Sequence, residues 1–330
     1  MQDICNMLRT SIRRFFRFSL GMTALGICAF TSCRAIGQNE SETVARKFNV
    51  ALPTAGGAQL WTDLEVRGGY RVQRNALTGH CRILDSNNVR RGWGSETDSL
   101  ELLDELCPEI PEPPAKPIVI LMHGLMRTDG SMKSLENALR ADGYEQVIRF
   151  GYASTRSSLS ASAASLNRVL AGQHPDAEFC IVGHSMGNIV TRHLIGDLQR
   201  DGDPNGILPR CRAMVMLGPP NQGAAIARRL GPTGVFGWVA GPGAMELGPR
   251  WADVQANLAT PPFPFAIVAG KFDSGPLRNP LVDGESDFVV SLEEAQLEGA
   301  EIVHHVPVLH SFLMNDEEVQ QWTIDYLDEH

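Results

Sequence analysis

Several things are missing from this sequence, and each absence excludes something. No Cys-x-x-Cys pair occurs, so a zinc ribbon has no ligand framework. No Gly-x-Gly-x-x-Gly follows a first strand, and no Gly-x-x-x-x-Gly-Lys-Ser/Thr is present. The folds that cradle dinucleotides or nucleoside triphosphates on such loops are therefore excluded. No period of roughly 20–50 residues repeats, which argues against a solenoid or propeller. Gly 32 and Pro 20 make up about 16% of the chain, well below the level of a low-complexity segment. An excess of basic charge is also missing. The formal net charge is −9 and the pI about 5.5, the wrong balance for a nucleic-acid binder.

What is present suits a folded body. Of 330 residues, 43% are hydrophobic and 20% charged, enough to bury a core and too apolar for disorder. That length implies one or two domains. The charge is unevenly spread. Residues 1–37 hold Arg9, Arg13, Arg14, Arg17 and Arg34 against one acid, Asp3. With +4 in that leader, the −9 of the whole leaves −13 on the remainder.

The leader has the form of an export signal. After the arginines, Phe18–Phe30 is uncharged, shorter than the ~20 residues a bilayer span needs and the length of a signal-peptide apolar segment. Phe30-Thr31-Ser32-Cys33 loosely resembles a bacterial lipobox, which implies membrane attachment through a lipid on Cys33. Ordinary cleavage near Cys33-Arg34-Ala35, a twin-arginine signal at Arg13-Arg14, an uncleaved anchor and a start at Met7 or Met22 are the alternatives. The expectation is an exported protein: periplasmic, secreted or anchored as a lipoprotein. Of seven cysteines, Cys81, Cys107, Cys180 and Cys211 lie outside the leader. Sequence proximity favours the pairs Cys81–Cys107 and Cys180–Cys211; the alternative is that Cys180 and Cys211 are buried thiols.

Residues 38–60 read as a polar linker, and 61–330 as the folded domain. Tyr70–Gln73 and Cys81–Leu84 suggest an antiparallel hairpin, and five prolines between 108 and 117 a stiff connector. Beyond it the pattern alternates. Strands are expected at Ile118–Met122, Gln146–Phe150, Phe179–Val182, Ala213–Leu217, Phe265–Ala269 and Ile302–Val308. Helices are expected at Ser131–Ala141, Ser157–Gly172, Met186–Leu198 and Glu317–Tyr326. Ile118–Met122 (IVILM) is apolar throughout, as a strand buried on both faces should be. Such alternation predicts an α/β chain with a doubly wound, mostly parallel sheet, whose chemistry lies at the carboxyl ends of its strands.

Residues suited to chemistry do follow those strands. Phe179–Val182 runs into Gly183-His184-Ser185-Met186-Gly187, a Gly-x-Ser-x-Gly between strand and helix. There a strained turn would expose Ser185, and the helix N-terminus would favour an oxyanion. After IVILM comes His123-Gly124-Leu125. The backbone N–H groups of Leu125 and Met186 are the candidate oxyanion donors, with His123 and His184 structural. His310 follows a late strand and is the candidate base. His304 and His305 lie within a strand, and their spacing to His310 matches no standard zinc site.

These segments resemble the α/β-hydrolases of the serine esterase and lipase type over about residues 117–330. The resemblance rests on HGLMRTDGSM (123–132), GYAST (151–155), GHSMG (183–187), GPPNQG (218–223), DGESDFVV (283–290) and HSFLM (310–314). It implies the chain order serine, acid, histidine. Position after a strand favours Asp273 as the acid, Asp283 lies in the same loop, and the resemblance favours Asp287, although Phe288 stands where that family has Gly. It also implies that 224–264 forms a lid over an acyl pocket; an irregular packing loop is the alternative, and the glycines of 231–248 suggest irregular backbone in both cases. The implied activity is hydrolysis of a small-molecule or lipid ester through Ser185, His310 and Asp287, with no cofactor and no metal. An acyltransferase on the same triad and a non-catalytic binding protein of this fold are the alternatives.

Overall fold

The structure, a computed structural model, describes residues 52–53, 59–231, 235–271 and 279–330, with backbone alone at 52–53 and 235–240. The expected leader with Cys33, most of the expected 38–60 linker and Asp273 lie outside the described residues.

An antiparallel sheet comes first in the chain. Its strands are β1 (Leu52–Pro53), β2 (Trp61–Arg67), β3 (Tyr70–Asn75), β4 (Cys81–Leu84) and β5 (Val89–Gly94), in the spatial order β1-β5-β4-β3-β2. The expected hairpin is its centre. Strands β2 (WTDLEVR) and β5 (VRRGWG) carry too many charges for their period to show in the sequence. Helix α1 (Glu96–Leu106) follows, started by a capping box in which Ser95 and Asp98 satisfy each other's backbone N–H.

The second sheet has six strands: β6 (Ile118–Met122), β7 (Val147–Phe150), β8 (Phe179–His184), β9 (Cys211–Leu217), β10 (Phe265–Gly270) and β11 (Ile302–Val306). The order is β11-β10-β9-β8-β6-β7, and every neighbouring pair is parallel. Strands β6, β8 and β10 are buried along their whole length, because helices cover both faces. Alternate residues sort to the two faces. Ile118, Ile120, Phe179 and Ile181 join a cluster with α3 (Leu159–Ala171) and α4 (Met186–Asp201). Val119, Leu121, Cys180 and Val182 join the opposite cluster with α2 (Lys133–Ala141) and the last helix, Glu317–Asp328. Ser158 and Asp316 cap α3 and that last helix with their side chains. Among the described residues no helix is long and apolar enough to cross a membrane.

Two expectations are corrected. The four cysteines among the described residues are free thiols. Cys180 faces one core cluster and Cys211 the other, so the sheet itself separates them. Cys107 donates instead to the carbonyl of Glu109 at 3.3 Å. The second correction concerns the glycine-rich 231–248. After α5 (Ala225–Leu230), residues Val235–Leu247 form helix α6, interrupted at Gly241 (φ 78°, ψ −168°) before Pro242. A Cβ on Gly241 would overlap the carbonyl of Thr155, so the break lets the chain press against that loop. Beyond it the buried Glu246 accepts from the Leu159 N–H at 2.8 Å, at the start of α3. Tertiary contacts thus hold helical a stretch that local composition disfavours.

Candidate active site

The serine sits where β8 ends and α4 begins. Its backbone is at φ 54°, ψ −124°, a region that non-glycine residues rarely occupy and that marks a functional constraint. Ser185 holds the N-cap position but its side chain accepts no cap hydrogen bond, so the hydroxyl is not used by the helix. The flanking glycines answer to close packing. A Cβ on Gly183 would overlap the Asn188 side chain, and one on Gly187 would lie 2.7 Å from Met122 Cβ and 2.8 Å from the His123 carbonyl oxygen. Asn188 ties the turn from below, its amide donating to the Ser185 carbonyl at 3.0 Å. The Ser185 N–H itself donates to Leu217 at the end of β9 (2.9 Å).

The candidate base and the candidate acid meet beyond the next strands. His310 opens the 3-10 turn His310–Asn315, and its Nδ1 lies 2.6 Å from Asp287 Oδ2, both residues buried. Asp287 is held by its own loop. Its Oδ1 accepts the N–H groups of Val289 (3.0 Å) and Val290 (2.7 Å), and its carbonyl accepts the His310 N–H (3.0 Å). Phe288, where the resembling family has Gly, adopts φ 81°. The left-handed turn is therefore kept, at the steric cost a side chain incurs there.

His184 is structural, as expected, and lies against His310. Its ring lies 4.8 Å from that of His310, centroid to centroid, and its Nε2–H donates to the His310 carbonyl at 2.9 Å. Full burial and the neighbouring cationic groups hold the His184 pKa well below the ordinary value, so the ring is neutral and props His310.

The loop after β6 approaches the serine from the other side. A Cβ on Gly124 would come within 3.1 Å of Ser185 Cβ, so this backbone lies against Ser185. A turn closes from the Arg127 N–H to the Gly124 carbonyl (3.2 Å), with Met126 at φ 57°. Leu125 is half-buried against the main apolar cluster. Met186, as the first residue of α4, leaves its N–H outside the intrahelical ladder.

His123 is structural, as expected. Its Nδ1 donates to the Gly124 carbonyl (2.9 Å), and its Nε2 accepts the Tyr152 N–H (3.4 Å). Its ring stacks on Tyr152 at 4.2 Å, and burial lowers its pKa to about 4. Tyr152 Oη donates to the His123 carbonyl at 2.5 Å.

The antiparallel sheet grips the same place. The Asp63 carboxylate accepts Gly151 N–H, Arg71 Nη1 and Gln73 Nε2, each at 2.7 Å, and Thr62 Oγ1 accepts the Ala153 N–H at 3.1 Å. Sequence reasoning did not single out Asp63, Tyr152 or Asn188 for a role here. Tyr152 lies within the quoted GYAST run, whereas Asp63 gives no local signal.

The remaining candidates separate from the site. Asp283 is an exposed carboxylate paired with Arg229 Nη2, both oxygens at 2.8 Å. Asp273 lies outside the described residues. His304 stacks on Trp322 at 4.9 Å and, with His305, belongs to β11, as expected of ordinary strand residues.

No family model and no curated sequence matches the chain. Solved structures do. The lipase BlEst2 of Bacillus licheniformis in its mature form aligns with a TM-score of 0.51 at 18% identity, covering 66% of this chain and 95% of that one. A metagenomic carboxyl esterase aligns with a TM-score of 0.48 at 13% identity, over 67% of this chain and 79% of that one. With the parallel sheet order and the flanking helices, the likeness to the Bacillus lipase shows that the fold is the α/β-hydrolase fold.

Proposed function

We propose that the chain is a carboxylic ester hydrolase acting through Ser185, His310 and Asp287. The observation that carries this reading is the buried 2.6 Å contact of His310 Nδ1 with Asp287 Oδ2, together with a Ser185 backbone held at φ 54°. With Nδ1–H donated to the carboxylate, His310 presents Nε2 as an acceptor, the tautomer a general base needs. Nε2 takes the Ser185 proton as Oγ attacks the ester carbonyl. The N–H groups of Leu125 and Met186 receive the developing oxyanion, each worth about 3–4 kcal/mol where such donors have been removed from other enzymes. His310 then returns the proton to the leaving alcohol. Water attacks the acyl-enzyme with His310 again as base, releasing the acid and restoring Ser185. The fold's likeness to a lipase supports the ester class.

The test is Ser185→Ala together with a fluorophosphonate probe. Turnover of a short-chain nitrophenyl ester should vanish in the variant, and mass mapping should find the label on Ser185 of the native chain. Full activity of the variant, or a label on another residue, overturns the assignment.

A further inference from the structure

One charged side chain beside the site lacks the partner its setting calls for. Arg127 follows Leu125 and Met126 in the loop after β6 and is partly buried. Its Nη2 donates to the Ser311 carbonyl at 3.4 Å, a long contact, and it makes no ion pair among the described residues. Other arginines near this end of the sheet are matched with acids. Arg71 pairs with Asp63 at 2.7 Å, and Arg149 with Glu136 at 2.7 Å and Asp129 at 3.2 Å. A guanidinium carries five donors in a planar fork, and removing it from water without a carboxylate or phosphate is unfavourable. The Arg127 charge is felt by both flanking rings, lowering the pKa of His184 and of His123.

The position indicates which half of a substrate would meet this cation. Ser311 directly follows His310, the residue that hands its proton to the departing alcohol. Arg127 therefore stands between the oxyanion loop and the turn that carries the base. We propose that Arg127 recognises an anionic group on the leaving alcohol, so that the favoured substrate is an ester whose alcohol bears a carboxylate or a phosphate. The proposal rests on the hydrolase reading above and adds the class of alcohol to it. The planar fork takes either anion through two parallel N–H···O bonds, which the point charge of a lysine cannot reproduce.

Three butyrate esters of matched phenols test it: those of 4-hydroxybenzoate, 4-hydroxyphenyl phosphate and methyl 4-hydroxybenzoate. The quantity read is kcat/KM for each anionic ester divided by that for the neutral one. In the native chain at least one ratio should exceed one, and the larger of the two tells whether carboxylate or phosphate is preferred. Arg127→Met should lower that ratio about ten- to hundredfold, the worth of hydrogen bonds to a charged group. Arg127→Lys should fall between, and it carries the test if Arg127→Met does not fold. An anion placed on the acyl side, in 4-nitrophenyl hemisuccinate compared with the butyrate, should give a ratio that Arg127→Met leaves within about threefold.

Native ratios that do not exceed one, or ratios unmoved by both substitutions, overturn the proposal. An equal fall for the acyl-side anion overturns its placement on the alcohol. None of these results alters the labelling of Ser185, which decides the hydrolase reading separately.

Discussion

The two sheets bury polar groups in different places. In the parallel sheet the strands β6, β8 and β10 are wholly buried, and their residues short of the carboxyl ends are apolar. The buried polar groups His123, Ser185, Asp287 and His310 gather past those ends. In the antiparallel sheet the buried polar groups lie inside the strands. Asp63 of β2, Gln73 of β3 and Arg82 of β4 form a chain of contacts, with Gln73 Oε1 accepting Arg82 Nη2 at 2.7 Å. That chain ends on Gly151, next to the tyrosine that holds His123 at the start of the loop after β6. One sheet keeps its apolar strands and its buried polar groups apart. The other uses polar residues as a joint, so its contribution to the site is indirect.

The contrast can be broken at three points. The largest effect belongs to Asp287→Asn. The asparagine oxygen can still accept from Val289 and Val290, which turns its NH2 toward His310 Nδ1. The imidazole must then accept at Nδ1 and carry its proton on Nε2, where it cannot serve as a base. A fall of about 10⁴ in kcat is expected, read by steady-state kinetics on a nitrophenyl ester, with the fold retained by circular dichroism.

Asp63→Ala should show the opposite balance. It leaves Arg71 beside an empty site and the Gly151 N–H without its acceptor, so a loss of about 3–5 kcal/mol in urea unfolding is expected. The fall in kcat at a temperature where the variant is folded should be much smaller than for Asp287→Asn. A collapse of kcat without loss of stability would place Asp63 in the chemistry and erase the contrast.

The smallest effect is set by pH. In the fold, burial lowers the His123 pKa from 6.5 to about 4, so between those values the unfolded chain binds the extra proton. Stability is therefore full above about pH 6.5, falls on acidification through the window and changes no further below about 4. The shift of His123 corresponds to about 3 kcal/mol. His184 acts in the same direction. Urea midpoints measured from pH 4.5 to 7.5 should drop with acid, and His123→Gln should make that slope shallower by up to about one proton. An unchanged slope in that variant would mean that His123 is not held neutral.

Much of this arrangement is legible locally. IVILM, the serine turn and the helix caps depend on residues a few positions apart, and their strands and helices fall close to where periodicity places them. The charged strands β2 and β5 are not legible, because only their packing reveals that Asp63 points inward. Nor is the ordered break at Gly241, which depends on the Thr155 carbonyl. The Cys180–Cys211 pairing failed for a related reason: neighbouring strands can send their side chains to opposite faces.

What the sequence determined by itself is the alternating α/β architecture and the identity of the serine turn. Both follow from short-range rules: side-chain period, run length and the residues a strained turn tolerates. Which carboxylate contacts His310 is seen in the tertiary structure. Asp283 and Asp287 stand in one loop and differ little in local character, yet one pairs with Arg229 at the surface and the other with His310 in the interior. That pairing depends on how the chain closes between residues 23 apart; in the sequence, only the likeness of segment 283–290 pointed to Asp287. The unmatched charge of Arg127 is likewise visible only once every neighbouring acid has its place.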